Sequence, residues 1–149
     1  MKNFVFAAAV SALCATSAFA EIASGDVSFK DGAVAVSLTG VPGDAASGRD
    51  TFKNRKLGNC LACHANDDMP EQQFHGEIAP PLSGVGDRWD EAELRGIVTN
   101  AKMMFEGTIM PAFYQDAGFV RTLSTFEGKS ILTAQQVEDV VAYLLTLKE

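Results

Sequence analysis

Cys60, Cys63 and His64 stand together in the run Cys60-Leu61-Ala62-Cys63-His64, the set of residues in this 149-residue chain most plainly arranged for chemistry. Two thiols one turn apart can add to the two vinyl groups on one edge of a porphyrin. The histidine beside the second thiol then reaches a central iron from the same side. C-x-x-C-H is accordingly the signature of c-type haem attachment. Two other chemistries use a C-x-x-C pair. A redox dithiol usually sits in a β-α-β context, and the sequence shows no parallel-sheet pattern. A zinc site needs four ligands at characteristic spacings, and His64 abutting Cys63 with only His75 to spare does not supply them. The spacing predicts one covalently attached haem c on Cys60 and Cys63, with His64 as an iron ligand.

An electron carrier wants a sixth ligand, because an open iron binds small molecules. Met69, Met103, Met104, Met110 and His75 are the candidates. Met69 follows His64 too closely to cross to the other haem face. Met103 and Met104 end a predicted helix, where methionine commonly fills core gaps. Met110 lies in Gly107-Thr108-Ile109-Met110-Pro111, an irregular run stiffened by Pro111, and a thioether on a loop can approach iron without distorting a helix. Met110 is the expected ligand and His75 the alternative. Methionine ligation raises the potential relative to two histidines. A ligating histidine donates its second ring N–H to an acceptor; the Pro80 carbonyl is the expected one, held by Pro80-Pro81 rigidity. Arg88 and Trp89 are candidate donors to a haem propionate, with a solvated arginine and a core tryptophan as their ordinary roles.

The elements that must position these residues begin after a leader. Lys2, the apolar run Phe4 to Leu13 and Ala18-Phe19-Ala20 read as a secretory signal peptide cleaved after Ala20. Cys14 leaves with it, so Cys60 and Cys63 are the expected mature chain's whole thiol complement. Without Lys2, eleven basic residues face nineteen acidic ones, a net charge of −8. Such a surface argues against nucleic acid, whose binding needs phosphates neutralised by Lys and Arg, and no later apolar stretch predicts a membrane span. Residues 21–43 read as an extended arm, with Asp31-Gly32 as a hairpin turn between Val27–Lys30 and Ala33–Leu38. Asp44 can cap a helix running to about Arg55. Residues 66–81 read as loop. Asp90 and Glu93 form a capping box before Leu94, Ile97, Val98 and Ala101 at helical spacing. Residues 105–131 are irregular and rich in Gly and aromatics. Thr133 and Gln136 form a second capping box, with Leu132 stapled on Val137, and Val137, Val140, Val141, Leu144 and Leu145 make an apolar helical stripe. The fold class is mostly α, with residues 1–20 as signal peptide, 21–43 as extension and 44–149 as one domain.

Gly48-x-x-x-Phe52 before C-x-x-C-H, then Pro80-x-Leu82-x-Gly84, Arg88, a Met-Pro loop and a terminal helix with Tyr143 together resemble class I cytochrome c. The resemblance implies that fold, with the first and last helices crossing at Gly48 and Phe52 against Val140 and Tyr143. Arg55-Lys56-Leu57-Gly58-Asn59 before the motif, Ile78-Ala79-Pro80-Pro81-Leu82, Val85-Gly86-Asp87-Arg88, Thr108-Ile109-Met110-Pro111-Ala112-Phe113 and Glu138-Asp139-Val140-Val141-Ala142-Tyr143-Leu144 are similar to the SoxX family, the small cytochromes of SoxAX complexes in bacterial sulfur oxidation. That likeness implies His/Met-ligated haem, a periplasmic location and a SoxA cytochrome partner. It further implies a thiosulfotransferase joining thiosulfate to a cysteine of a SoxYZ carrier, with a downstream cytochrome as electron acceptor.

Forming one S–S bond releases two electrons and one haem iron accepts one. With no uncommitted thiol, the expected mature chain is a relay, and no catalytic acid, base or nucleophile is assigned to it. A freestanding soluble electron shuttle would share every haem motif. Arg49, Lys53, Arg55 and Lys56 cluster before the motif, as a solvated helix face or as a docking patch near the haem edge.

Overall fold

A computed structural model describes residues 20–149; the expected signal peptide lies outside them except for Ala20. Four α-helices lie among the described residues: α1 (Ala45–Lys53), α2 (Val85–Arg88), α3 (Glu91–Asn100) and α4 (Ala134–Leu144). Among the described residues there is no strand, only one isolated bridge. The helix starts follow local chemistry. Asp44 accepts from the Ser47 N–H at 2.7 Å, and both capping boxes are complete, Asp90 with Glu93 and Thr133 with Gln136. Helix α1 ends at Lys53, earlier than its pattern suggested. Asn54 takes over there: its side chain accepts from the Lys56 N–H, and its carbonyl from Leu57 and Asn59, so a turn replaces further helix.

α1 and α4 cross at Gly48. A Cβ built on Gly48 would sit 1.9 Å from the Asp139 carbonyl oxygen and 2.9 Å from Tyr143 Cβ, a separation only a residue without a side chain permits. One turn on, Phe52 meets Tyr143 edge to face, with ring centroids 5.6 Å apart. Phe52, Leu94, Val98, Leu132, Val137, Val140 and Val141 form the buried core.

The arm joins that core. Val34 and Leu38 are buried within it. Asp31 and Gly32 both have positive φ, as a primed hairpin turn demands, and Lys30 and Ala33 exchange two hydrogen bonds of 2.9 Å. The expected strands go no further, because helices take their partners. The Val34 N–H donates to the Ala92 carbonyl on α3 and the Leu38 N–H to Glu138 Oε1 on α4. Glu138 in turn grips Arg95 of α3, whose Nε and Nη2 donate to both carboxylate oxygens, while Arg95 Nη1 donates to the Val34 carbonyl. This ion pair is almost wholly buried and ties arm, α3 and α4 at one point.

Removing Glu138 leaves the buried Arg95 guanidinium with only the exposed Glu91 carboxylate and takes away the acceptor of the Leu38 N–H. Glu138→Ala is expected to lower the unfolding free energy by ~3–5 kcal/mol, measured by urea denaturation, and to open the arm to limited proteolysis. A Glu138→Leu, Arg95→Met pair should regain only part of the loss, because no buried charge is left unpaired but the Leu38 N–H and the Val34 carbonyl lose their side-chain partners.

Candidate functional site: the haem-attachment turn and the Met-Pro loop

Cys60 and Cys63 lie on one tight turn. Cys60–Ala62 form a single 3-10 turn, and the N–H groups of Cys63 and His64 both donate to the Cys60 carbonyl, at 3.1 and 3.0 Å. Asn59 enters it in the left-handed region, φ 48°, which asparagine tolerates better than most residues. The turn is packed from behind. The Gly76 N–H donates to the Leu61 carbonyl at 2.8 Å, and a Cβ on Gly76 would lie 2.3 Å from the Ala62 carbonyl oxygen. Both thiols are free and half-buried. Burial pushes the Cys60 thiol up to about 12. Nucleophilic dithiols carry lowered values, so this environment disfavours the dithiol oxidoreductase reading.

His64 Nδ1 lies 2.7 Å from the Pro80 carbonyl oxygen, the acceptor expected for it. A carbonyl only accepts, so the ring proton sits on Nδ1 and Nε2 keeps its lone pair for a metal. With Nε2 free beside two unpaired thiols on one turn, these residues fit a covalently attached haem. The Pro80 carbonyl is itself held. Ala79 and Leu82 donate to the Cys63 and Ala65 carbonyls, stitching both ends of the Pro-Pro segment beside the motif. Arg88, expected as a possible propionate donor, spends Nη1 on the Ser83 carbonyl (2.5 Å) and Nη2 on that of Pro81 (3.0 Å). Trp89 is half-buried and meets Phe105 edge to face at 5.8 Å.

The sixth-ligand candidates fall into different settings. Met69 is fully buried in the core and Met103 is half exposed. Met104 packs on the Gly32 turn. His75 has both ring nitrogens engaged: Nδ1 accepts from the Asn66 N–H and Nε2 donates to the Met69 carbonyl, each at 3.1 Å. Met110 is half-buried against the core on a loop that follows α3, its side chain free of hydrogen bonds.

One network was not visible in the sequence. Asn66 donates to the Tyr143 hydroxyl (2.9 Å), which donates to Asp68 (2.8 Å), which pairs with Arg49 (3.0 Å). It fastens the loop after His64 to the α1–α4 crossing. The Tyr143 hydroxyl and the Arg49 guanidinium hold the Asp68 carboxyl below its usual range, and burial followed by Asp68 raises Tyr143. Arg49 is therefore no free cation of a docking patch, since it also meets Glu71 at 3.0 Å; Lys53 pairs with Asp50 at 2.7 Å. Arg55 and Lys56 have no ion-pair partner among the described residues. The one cue available was a Tyr on α4 near in space to an acidic run, which pattern alone does not reveal.

Residues 45–148 match the family model described as cytochrome c, so the chain belongs to the cytochrome c family. Membership implies covalently bound haem c. Among solved structures it is similar to the crystal structure of SoxXA from P. pantotrophus, at 55% identity and a TM-score of 0.83, over 87% of this chain and 100% of that one. The resemblance to SoxX-type subunits is thereby borne out, as is the mostly helical cytochrome c fold. Comparison with curated proteins returns no match. No helix among the described residues is long and apolar enough to cross a membrane.

Proposed function

We infer that this chain is the electron-transfer subunit of a SoxAX-type complex in thiosulfate oxidation. The observation that carries the reading is its 55% identity to a SoxXA chain across that chain's whole length. Cys60 and Cys63 would hold one haem c, with His64 and Met110 as iron ligands, and the group would supply reversible one-electron storage. The protein's residues do the rest. Pro80 fixes the proton of His64 on Nδ1 and so presents Nε2. The Met-Pro loop presents a neutral sulfur, which favours the reduced state. His75, with both nitrogens satisfied, is spared from ligation.

Sulfur chemistry belongs to the partner. When thiosulfate and a carrier thiolate join through a new S–S bond, two electrons leave, and a one-electron relay must pass them on singly. Neither attachment cysteine is free to hold sulfur, so a SoxA-type cytochrome binds substrate and a SoxYZ-type carrier visits that subunit. Electrons depart to a downstream cytochrome. The signal peptide, cleaved after Ala20, delivers residues 21–149 to the periplasm, where residues 21–43 extend the 44–149 cytochrome domain.

Purification of the mature protein from its native periplasm should yield a stable heterodimer with a second cytochrome, and carrier-dependent thiosulfate consumption should need both chains. A haem-loaded monomer that elutes alone would instead make it a freestanding shuttle.

A further inference from the structure

The loop around Met110 has little packing of its own. Gly107 has a φ of 75° with nothing near its Cβ position, and Ile109 is 78% exposed. Phe105 leans on Trp89 at the start of the loop, and beyond it, across residues 106–111, Met110 is the apolar side chain packed directly on the core. Its backbone is held instead by two side chains. The Met110 N–H donates to Thr108 Oγ1 at 3.2 Å, and the Met110 carbonyl accepts from Lys102 Nζ at 2.6 Å. Pro111, next in the chain, has no N–H with which to anchor the segment.

Lys102 is well rooted for this contact. It sits in the turn Ala101–Met103 that prolongs α3, between fully buried Ala101 and a cap in which Asn100 Oδ1 accepts from the Lys102 N–H. Among the described residues no carboxylate pairs with its ammonium. A charged donor on a neutral carbonyl makes a short and comparatively strong hydrogen bond.

We propose that Lys102 is a positioning residue for the sixth ligand: by pinning the Met110 carbonyl it holds the thioether in place and keeps outside ligands from the iron. The inference rests on the reading of Met110 as that ligand. It concerns a balance between a seated and a lifted loop. An external ligand binds only when the loop is lifted, so its apparent affinity scales with the lifted fraction. Removing the pin raises that fraction.

The test is imidazole titration of the ferric, haem-loaded protein, followed optically, in wild type, Lys102→Met and Lys102→Arg. Lys102→Met should bind imidazole about threefold to tenfold more tightly, the lower end of what a charge-assisted hydrogen bond controls, because the contact is open to water. Lys102→Arg keeps a donor and should stay near wild type, and in Lys102→Met the unfolding equilibrium, measured in urea, should shift by no more than the same threefold to tenfold. Unchanged imidazole affinity in Lys102→Met overturns the proposal, as does an Arg variant as loose as the Met one. A fall in the unfolding equilibrium clearly larger than the affinity change overturns it too, since that marks a general structural role. The underlying reading fails separately: a wild-type ferric spectrum without the weak near-infrared sulfur-to-iron band would show that Met110 is not bound at all.

Discussion

A Gly48→Val chain is expected not to accumulate as folded, haem-loaded protein. The reason is geometric. At Gly48 a Cβ would meet the Asp139 carbonyl oxygen at 1.9 Å and its carbon at 2.5 Å, and both are backbone atoms. No rotamer change relieves such a contact, so α1 and α4 must separate. Separation uncovers Phe52 and Tyr143 and pulls apart the network from Tyr143 through Asn66 and Asp68 to Arg49, which seats the loop after His64. Two losses that share Tyr143 combine, and the cost should exceed ~4 kcal/mol, the range reached only by disrupted cores and buried networks. Far-UV circular dichroism and the Soret yield of exported protein measure the outcome. Gly25→Ala is the control, because nothing lies within 4 Å of its Cβ position and its φ is not positive; it should shift the urea midpoint negligibly. A Gly48→Val protein with wild-type yield and midpoint would mean that the helices do not approach this closely.

The parts of the molecule legible in the sequence are those written over a few residues. A capping box spans four positions and C-x-x-C-H five, and the i, i+3, i+4 stripe of α4 repeats within one helix. Pro80 as the partner of His64 was legible for a related reason: the rigidity of Pro80-Pro81 is written in two adjacent residues and holds the carbonyl in place. What stayed hidden depends on distant partners. Arg95 and Glu138 are 43 positions apart and each looks like a solvated charge on an amphipathic helix. Only tertiary packing brings them to one buried point with the Val34 carbonyl and the Leu38 N–H. The same packing explains the truncated hairpin. Its turn chemistry was right, but helices α3 and α4 offered Val34 and Leu38 better partners than a second strand did. Arg49 stayed between two readings for the same reason, because its carboxylate partners at 68 and 71 lie on a loop with no periodicity to betray their position. His75 was ambiguous as a ligand until its two nitrogens could be followed to Asn66 and Met69.

Met110→Ala should convert a closed electron carrier into an open haem protein. Three consequences follow from losing one thioether. The weak near-infrared sulfur-to-iron band disappears. The potential falls, on the order of 100 mV or more within the ~0.8 V that axial ligands span, because the neutral sulfur no longer favours the reduced iron. Imidazole, cyanide and other small ligands then bind without first displacing a side chain. The fold itself should tolerate the change better than the haem does. Met110 is only half-buried and its backbone contacts with Lys102 and Thr108 do not use the side chain, so the urea midpoint of the protein should drop modestly. That separation between a large redox effect and a small stability effect distinguishes a ligand from a core residue. Met69→Ala provides the contrast: fully buried in the core, it should cost ~2–5 kcal/mol of stability while leaving the near-infrared band in place. Should Met110→Ala keep both the band and the potential, the sulfur on iron must come from elsewhere in the chain. Should the band be absent from wild type as well, His75 becomes the residue to replace next, and its release from Asn66 and Met69 would then have to accompany haem binding.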